Sequence, residues 1–323
     1  MHVLITGSSG QIGTNLALRL ISVGHRVTGI DWRSNEWTDQ IDLIHQDLAK
    51  REEDFTIGIG AQRYPADIDL VVHLAAYAKV HELVEHPVRA LDNITMTTNA
   101  LEFARARKIP ILFGSSRETY GNIQLERTSE TAANFANAAS PYAASKIAGE
   151  SLVHSYGRCF GMRYLIFRFS NVYGRFDCDL DRMERVIPLF VKKILNREPI
   201  TIYGPNKILD FTYVDDCVSG ILAGIDRVLS VEPVNTTINL AYGQGSKLLD
   251  LAELIAKRLD IFVPMTLEPA RPGEVTHYVA DISAARELLG YVPKVALTEG
   301  LMLAIEFYIE WFKKKGWLLS EPH

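Results

Sequence analysis

The sequence predicts an α/β protein: a doubly wound parallel sheet, with helices on both faces, joined to a smaller C-terminal α/β lobe. Three observations carry this. Short apolar runs alternate with longer helical patterns through the first half, the signature of repeated strand-helix-strand units. The first run, residues 3–5, leads straight into Thr6-Gly-Ser-Ser-Gly-Gln-Ile-Gly13, a glycine-rich turn opening a helix. And 323 residues exceed one average domain, which leaves room for a second lobe.

Taken in order, residues 3–5 form the first strand and residues 12–23 the first crossover helix, stopped by Gly24. Arg26–Asp31, residues 43–45 and residues 70–74 read as the next strands. A long helix over 88–107 stops before Pro110, and a strand over 111–114 follows. A third helix spans 142–160, and Tyr164–Phe169 is again a strand. After Gly174 the regularity weakens. Residues 175–181 are polar and read as a loop, Val186–Leu195 as helix and Ile200–Tyr203 as a short strand, an insertion over a site. A helix over 215–229 and a strand over 237–240 return the chain to the main sheet, so the lobes are expected to be discontinuous. Residues 1–174 plus about 208–243 make the dinucleotide-binding body. About 175–207 and 244–323 make the second lobe, completed by Leu248–Leu259, the Pro-rich 269–273 and the amphipathic 297–312.

Composition excludes several classes. Hydrophobic residues at 47% and charged residues at 23% are those of a globular chain without long disordered tracts. A net charge of −5 gives no electrostatic reason to expect nucleic acid or an anionic membrane as partner. Cys159, Cys178 and Cys217 are few, scattered and odd in number, which predicts packing thiols instead of a disulfide framework or metal site. The N-terminus enters a strand within two residues and no run reaches membrane-spanning length, so a cytoplasmic location is expected.

The glycine turn predicts a cofactor site. Gly7, Gly10 and Gly13 let backbone approach a pyrophosphate, and the helix beginning at Gln11 and Ile12 presents unpaired N–H groups and a positive dipole end. Asp31 ends the second strand 18 residues after Gly13, where a carboxylate accepts from the adenosine ribose hydroxyls and repels a 2′-phosphate. NAD is therefore favoured over NADP, a preference that nearby Arg33 tempers. Asp47 and Leu48 follow a further strand and either bracket the adenine or serve structure alone. Leu74, Ala75 and Ala76 end the strand begun at residue 70, with side chains small enough for dinucleotide to lie against backbone. His73 reads as a satisfied strand-end histidine in preference to a catalyst. Asn93 is a candidate cofactor contact, and Asn99 a weaker one.

Catalysis is expected at Tyr142 and Lys146, four apart on one helix face, where the ammonium stabilises a phenolate and brings a tyrosine toward acting as base. The strand over 111–114 runs on to Ser115 and Ser116, and Ser116 is the candidate to hydrogen-bond the oxygen being oxidised, with Ser115 the alternate.

At these residues the chain resembles the NAD-dependent nucleotide-sugar epimerases and dehydratases of the extended short-chain dehydrogenase/reductase type. Ordered matches run through the chain: the glycine turn, His73-Leu-Ala-Ala76, Ser115-Ser-Arg-Glu-Thr-Tyr-Gly121, Ser140-Pro-Tyr-Ala-Ala-Ser-Lys146, Arg168-Phe-Ser-Asn-Val-Tyr-Gly174, Asp210-Phe-Thr-Tyr-Val-Asp-Asp216 and Arg271-Pro-Gly-Glu274. The resemblance implies Ser116, Tyr142 and Lys146 as catalytic triad, Asn171 on the substrate diphosphate and Arg271 as a phosphate clamp. Arg271 suits that role independently, since a guanidinium grips phosphate oxygens in pairs. It also implies a homodimer through the helices over 88–107 and 142–160. One departure stands out: Leu209 occupies a place where relatives carry arginine, and Lys207 is the candidate substitute.

The implied first step is hydride transfer from a sugar carbon, C4 in most relatives, to NAD. A 4-epimerase then needs only a roomy pocket and hydride return. Glu118 keeps a decarboxylase or 4,6-dehydratase alive, although Arg117 replaces the acid that a dehydratase uses and is a poor proton donor. An ion pair or helix cap is the other reading of Glu118. Lys79 either neutralises an anionic substrate group or is a solvated lysine. A non-catalytic NAD-bound scaffold or RNA-binding module is the reading from another class, disfavoured by the intact triad and the lack of a basic stripe.

Overall fold

The computed structural model describes residues 1–50, 64–232 and 234–319 of the chain. Seven strands form one sheet. They are β1 (His2–Thr6), β2 (Arg26–Asp31), β3 (Asp42–His45), β4 (Leu70–His73), β5 (Ile111–Ser116), β6 (Tyr164–Phe169) and, far downstream, β10 (Thr236–Leu240). Every pairing is parallel, in the order β10-β6-β5-β4-β1-β2-β3. β1, β4 and β6 are buried along their whole length, as parallel strands covered on both faces must be.

Alternation along β1 divides the core. Val3 and Ile5 enter one apolar cluster, with Leu16 and Leu20 of α1 (Gln11–Ser22) and Ile221 and Ile225 of α6 (Val214–Leu229). Leu4 enters the other, with Leu101 of α3 (Arg89–Arg107) and Val153 of α4 (Pro141–Phe160). A short helix, α2 (Val80–Glu85), precedes α3.

The chain leaves β1 toward β2 on one side while β4 lies on the other, so the order reverses between β1 and β4. A doubly wound sheet opens a crevice at the carboxyl ends of strands at such a point. This is the architecture expected from the sequence, and the glycine turn lies in that crevice.

The second lobe carries two small sheets. β7 (Asn171–Tyr173) and β13 (His277–Tyr278) pair parallel with β9 (Ile208–Tyr213), and β11 (Gly245–Lys247) pairs antiparallel with it. β8 (Ile200–Tyr203) pairs with β12 (Met265–Glu268). The helices are α5 (Val186–Leu195), α7 (Leu248–Leu259), α8 (Ser283–Leu289) and α9 (Leu297–Lys315).

Two details depart from the division read in the sequence. β7 and β9, both placed with the main body, belong to the small sheet, since β9 bonds to β7, β11 and β13. α8, placed with the second lobe, packs on α6 and β10. Residues 51–63, 233 and 320–323, which that sequence division also assigns, lie outside the described residues.

Candidate active site

The cradle is built from backbone. Gly7 has φ +72°, and a Cβ there would meet the Ala75 nitrogen at 2.8 Å and the Leu74 carbonyl carbon at 2.9 Å. A Cβ on Gly13 would meet the Gly7 oxygen at 2.3 Å. Only hydrogen fits at either position, because the turn is pressed against the end of β4 on one side and against itself on the other. Gly10 caps α1 with no side-chain hydrogen bond, which leaves the first helical N–H groups to other partners. Gln11 is buried beside them, and neither its Nε2 nor its Oε1 has a partner among the described residues; Ile12 turns toward the core. Unmet amide atoms above a glycine cradle at a helix N-terminus suit a pyrophosphate.

At the end of β2 the Asp31 carboxylate accepts from Ser9 N (3.1 Å) and Arg33 N (3.0 Å), and it is fixed beside the turn. Thr6 Oγ1 receives Leu74 N (3.2 Å) and Ala75 N (3.3 Å), holding the run through Ala76 against β1. These residues form one cradle that fits a dinucleotide with a free ribose diol.

Three further sequence candidates also serve the fold. Asp47 accepts from Ala49 N, Leu48 is core with its carbonyl taking Asn99 Nδ2 (2.8 Å), and both amide hydrogens of Asn93 go to Tyr77 O (3.1 Å) and Ser145 Oγ (3.0 Å). Asn93 therefore braces the chain after β4. His73 lies between Thr6 Oγ1 (2.7 Å) and Thr97 Oγ1 (3.3 Å), and burial pulls it down to about 3, so it stays neutral and structural as expected.

Period-two alternation at the end of β5 separates the two serines. Ser115 donates to Glu150 Oε1 (2.5 Å), part of a buried network in which Arg168 grips Glu150 through Nε (2.9 Å) and Nη2 (2.7 Å). Ser116 points the other way and lies near enough to Tyr142 to pull its phenol down. Tyr142 is set by the start of α4, where Ser140 Oγ accepts from Ala143 N (3.1 Å) and Pro141 occupies the first turn. One turn on, the Lys146 ammonium donates to Gly114 O (2.7 Å) and lies 5.0 Å from the Phe113 ring centre and 5.9 Å from that of Tyr142. The expected triad is assembled from two places in the chain, the end of β5 and the first turns of α4.

The electrostatics correct one expectation. Burial pushes the Tyr142 phenol up to about 12, against the lowering effect of nearby Ser116. Burial also pulls Lys146 down to about 8, with Glu150 opposing it. The ammonium faces the Gly114 carbonyl instead of the phenol oxygen, so the protein's own groups do not make Tyr142 acidic.

A cavity of about 450 Å³ opens beside this constellation. Its wall includes Lys79, Arg117, Glu118, Asn171, Lys207 and Arg271, so six residues from distant parts of the sequence meet in one space. Lys207 is buried and paired with Glu274 (2.5 Å), whose carboxylate also takes Arg271 N (2.9 Å). The Arg271 guanidinium stacks 4.1 Å over the Tyr203 ring. Tyr203, Asp177 and Arg185 line the cavity too and were missed in the sequence. Tyr203 was readable: buried Ile200 and Ile202 alternate with it along β8, which turns it to the opposite face. Asp177 and Arg185 sit in irregular chain with no period to betray them. The flanking motif Asp210 to Asp216 is structural at both ends. Asp210 accepts from Tyr242, Gly243 and Ala280 N–H groups, and Asp216 from those of Lys294 and Val295.

A glycine cradle at the switch point of a parallel sheet, facing a serine, a tyrosine and a lysine, defines a dinucleotide-binding enzyme of the short-chain dehydrogenase/reductase type. The chain belongs to the NAD dependent epimerase/dehydratase family, whose model matches residues 3–241. It is 29% identical over 338 residues to UDP-glucuronate 4-epimerase 1 of Arabidopsis thaliana, covering 97% of this chain and 77% of that one. Its structure resembles that of a UDP-glucose 4-epimerase from Thermotoga maritima solved with UDP-glucose (TM-score 0.86, 27% identity, 97% of this chain and 100% of that one). It also resembles a UDP-glucuronic acid 4-epimerase from Bacillus cereus in complex with UDP-glucuronic acid and NAD (TM-score 0.84, 27% identity, 96% and 100%). Among the described residues no cluster of metal-ligating side chains occurs, and no helix is long and apolar enough to cross a membrane.

Proposed function

We propose that the protein is an NAD-dependent 4-epimerase of a uridine-diphosphate-linked hexose, working through a transient 4-keto sugar. The observation that carries this is the grouping of Ser116, Tyr142 and Lys146, with the ammonium 5.9 Å from the Tyr142 ring centre, beside the cavity. In this reading Gly7, Gly10, Gln11, Gly13, Asp31 and the run Leu74 to Ala76 hold the dinucleotide. Bound NAD supplies the hydride acceptor for C4 and, when oxidised, a positive ring beside the phenol.

Tyr142 takes the C4 hydroxyl proton, and Ser116 hydrogen-bonds the same oxygen as it becomes a carbonyl. Lys146 keeps its end of α4 against β5 through Gly114 and brings positive charge to the site. Arg271 and Lys207 meet the diphosphate, and Asn171 lies between them and the sugar. The keto sugar turns over within the cavity, hydride returns to its other face, and Tyr142 returns the proton. Residues 1–170 with α6, β10 and α8 act as the cofactor body and the remainder as the substrate lobe. A homodimer through α3 and α4, and a cytoplasmic location, belong to the same proposal.

The test is direct. Wild-type protein incubated with UDP-glucose and UDP-glucuronate, and followed by NMR, is expected to give the C4 epimer of one of them with no net change in NAD. Tyr142→Phe is expected to cut kcat by about 10²- to 10⁴-fold. Unchanged turnover in that variant sinks the assignment.

A further inference from the structure

Oxidation at C4 of a hexose has a chemical hazard: the ketone makes the neighbouring C5–H acidic, and a carboxylate within reach removes it. The cavity holds such a carboxylate. Glu118 follows Ser116 by two residues, donates its N–H to Ser116 Oγ (3.2 Å) and is close enough to Tyr142 for its charge to raise the phenol. Its side chain is nearly buried in the cavity wall.

Glu118 is held by its neighbour. Arg117 Nη2 lies 3.0 Å from Glu118 Oε1, and the same nitrogen donates to Asn171 Oδ1 at 3.1 Å. The other side of Asn171 is fixed as well, with Nδ2 donating to Asp210 O (3.0 Å), and the guanidinium lies 6.0 Å from the buried Tyr278 ring. Side-chain exposures of 11% for Arg117 and 7% for Glu118 put this pair out of bulk water, where an ion pair is geometrically strict and loss of one partner is felt by the other. Neither Arg117 Nη1 nor Glu118 Oε2 has a partner among the described residues, so the pair retains one free donor and one free acceptor.

We propose that Arg117 determines reaction specificity: by clamping Glu118 against Asn171 it keeps that carboxylate from acting as a base on the keto sugar, so the site returns hydride instead of enolising its intermediate. This rests on the epimerase reading above and adds to it a role for a residue that the reaction does not otherwise need. The step held back is simple in its balance. The C5–H bond breaks, its proton goes to a Glu118 oxygen, and its electron pair moves into an enolate on the C4 oxygen. Return of a proton from the same carboxyl restores the ketone, and in D₂O it delivers deuterium.

Exchange at C5 is measured on a preformed ketone, so that hydride transfer is not required. UDP-4-keto-6-deoxyglucose is incubated in D₂O with NAD-loaded wild type, Arg117→Met, Arg117→Gln and the double variant Arg117→Met/Glu118→Gln, and loss of the C5 proton signal is followed. Circular dichroism and bound dinucleotide are read on each sample. Arg117→Gln keeps a donor for Asn171 and serves where the methionine variant fails to fold. Both single variants are expected to exchange about 100-fold faster than wild type, the low end of what a positioned general base contributes, and the double variant to fall back to the wild-type rate. Folded single variants that exchange no faster than wild type overturn the proposal, as does a double variant as fast as Arg117→Met. Failure of wild type to epimerise UDP-glucose or UDP-glucuronate, read separately, sinks the epimerase reading and leaves the exchange result standing by itself.

Discussion

Lys146 and Tyr142 are four residues apart, yet burial drives them in opposite directions, the amine down to about 8 and the phenol up to about 12. Each shift disfavours the charged form, yet at neutral pH the amine still keeps most of its proton and the phenol all of its own, so a base at that pH needs a further positive charge nearby. An ultraviolet difference titration of wild type against Tyr142→Phe therefore has a clear expectation. The Tyr142 midpoint lies lower in protein loaded with oxidised NAD than in protein loaded with the reduced form. Equal midpoints mean that the nicotinamide charge does not reach the phenol. Lys146→Met removes both the donor to Gly114 O and the only ammonium beside the ring among the described residues. It is expected to lower kcat by about 10²-fold or more, with a smaller change in KM, because its charge matters most when the phenolate forms. A change confined to KM would show that the lysine binds substrate and takes no part in proton transfer.

The elements that position these residues were legible in the sequence where a physical period or a steric demand wrote them. β1, β4, β5 and β6 each carry a run of three or four apolar residues because both faces of the sheet are covered, and such a run is visible without any structure. The α4 start was equally visible, since Ser140-Pro141 is a cap followed by a proline at the first turn. β11 and β13 were not, because they are two or three residues long, border turns and take their partner β9 from residues far away in the chain. In the site, motif residues were found and irregular ones missed: Arg271 follows from its Pro-Gly turn, while Asp177 lies in loop. The cradle offers the cleanest element-level test. Gly7→Ala places a methyl 2.8 Å from Ala75 N at φ +72°, so backbone must yield on both counts. Dinucleotide binding is expected to weaken by at least about tenfold, readable by titration of NAD fluorescence quenching. Gly24→Ala is the control, since its φ is +85° but nothing lies within 4 Å of the added carbon. Matching losses at both positions would place the effect in general backbone strain and remove close approach as its cause.

At the scale of the molecule, one buried carboxyl ties the insertion after β7 to the last helix. Phe176 adopts φ +67°, a conformation that bulky residues rarely take, and packs 5.3 Å from both Trp37 and Phe307. That turn drives Asp177 inward, where its Oδ2 and the Tyr308 hydroxyl of α9 both accept from Gly174 N (3.4 and 3.3 Å), and its Oδ1 has no partner among the described residues. Burial raises Asp177 to about 7, with Arg185, Tyr308 and Gly174 opposing. The sign of the consequence follows from proton counting. Between the ordinary carboxyl value near 4 and about 7 the folded chain holds a proton that the unfolded chain has lost, so stability falls as pH rises through that interval. Asp177→Asn removes the titration and keeps the size. Its Tm relative to wild type is therefore expected to climb from pH 4 to pH 8, with linkage setting an upper bound of about 4 kcal/mol on the difference. Thermal melts of the two proteins across that range decide the point. Curves that stay parallel would mean that the folded chain holds Asp177 as an ordinary carboxylate, with the joint between insertion and α9 carried by the aromatic packing alone.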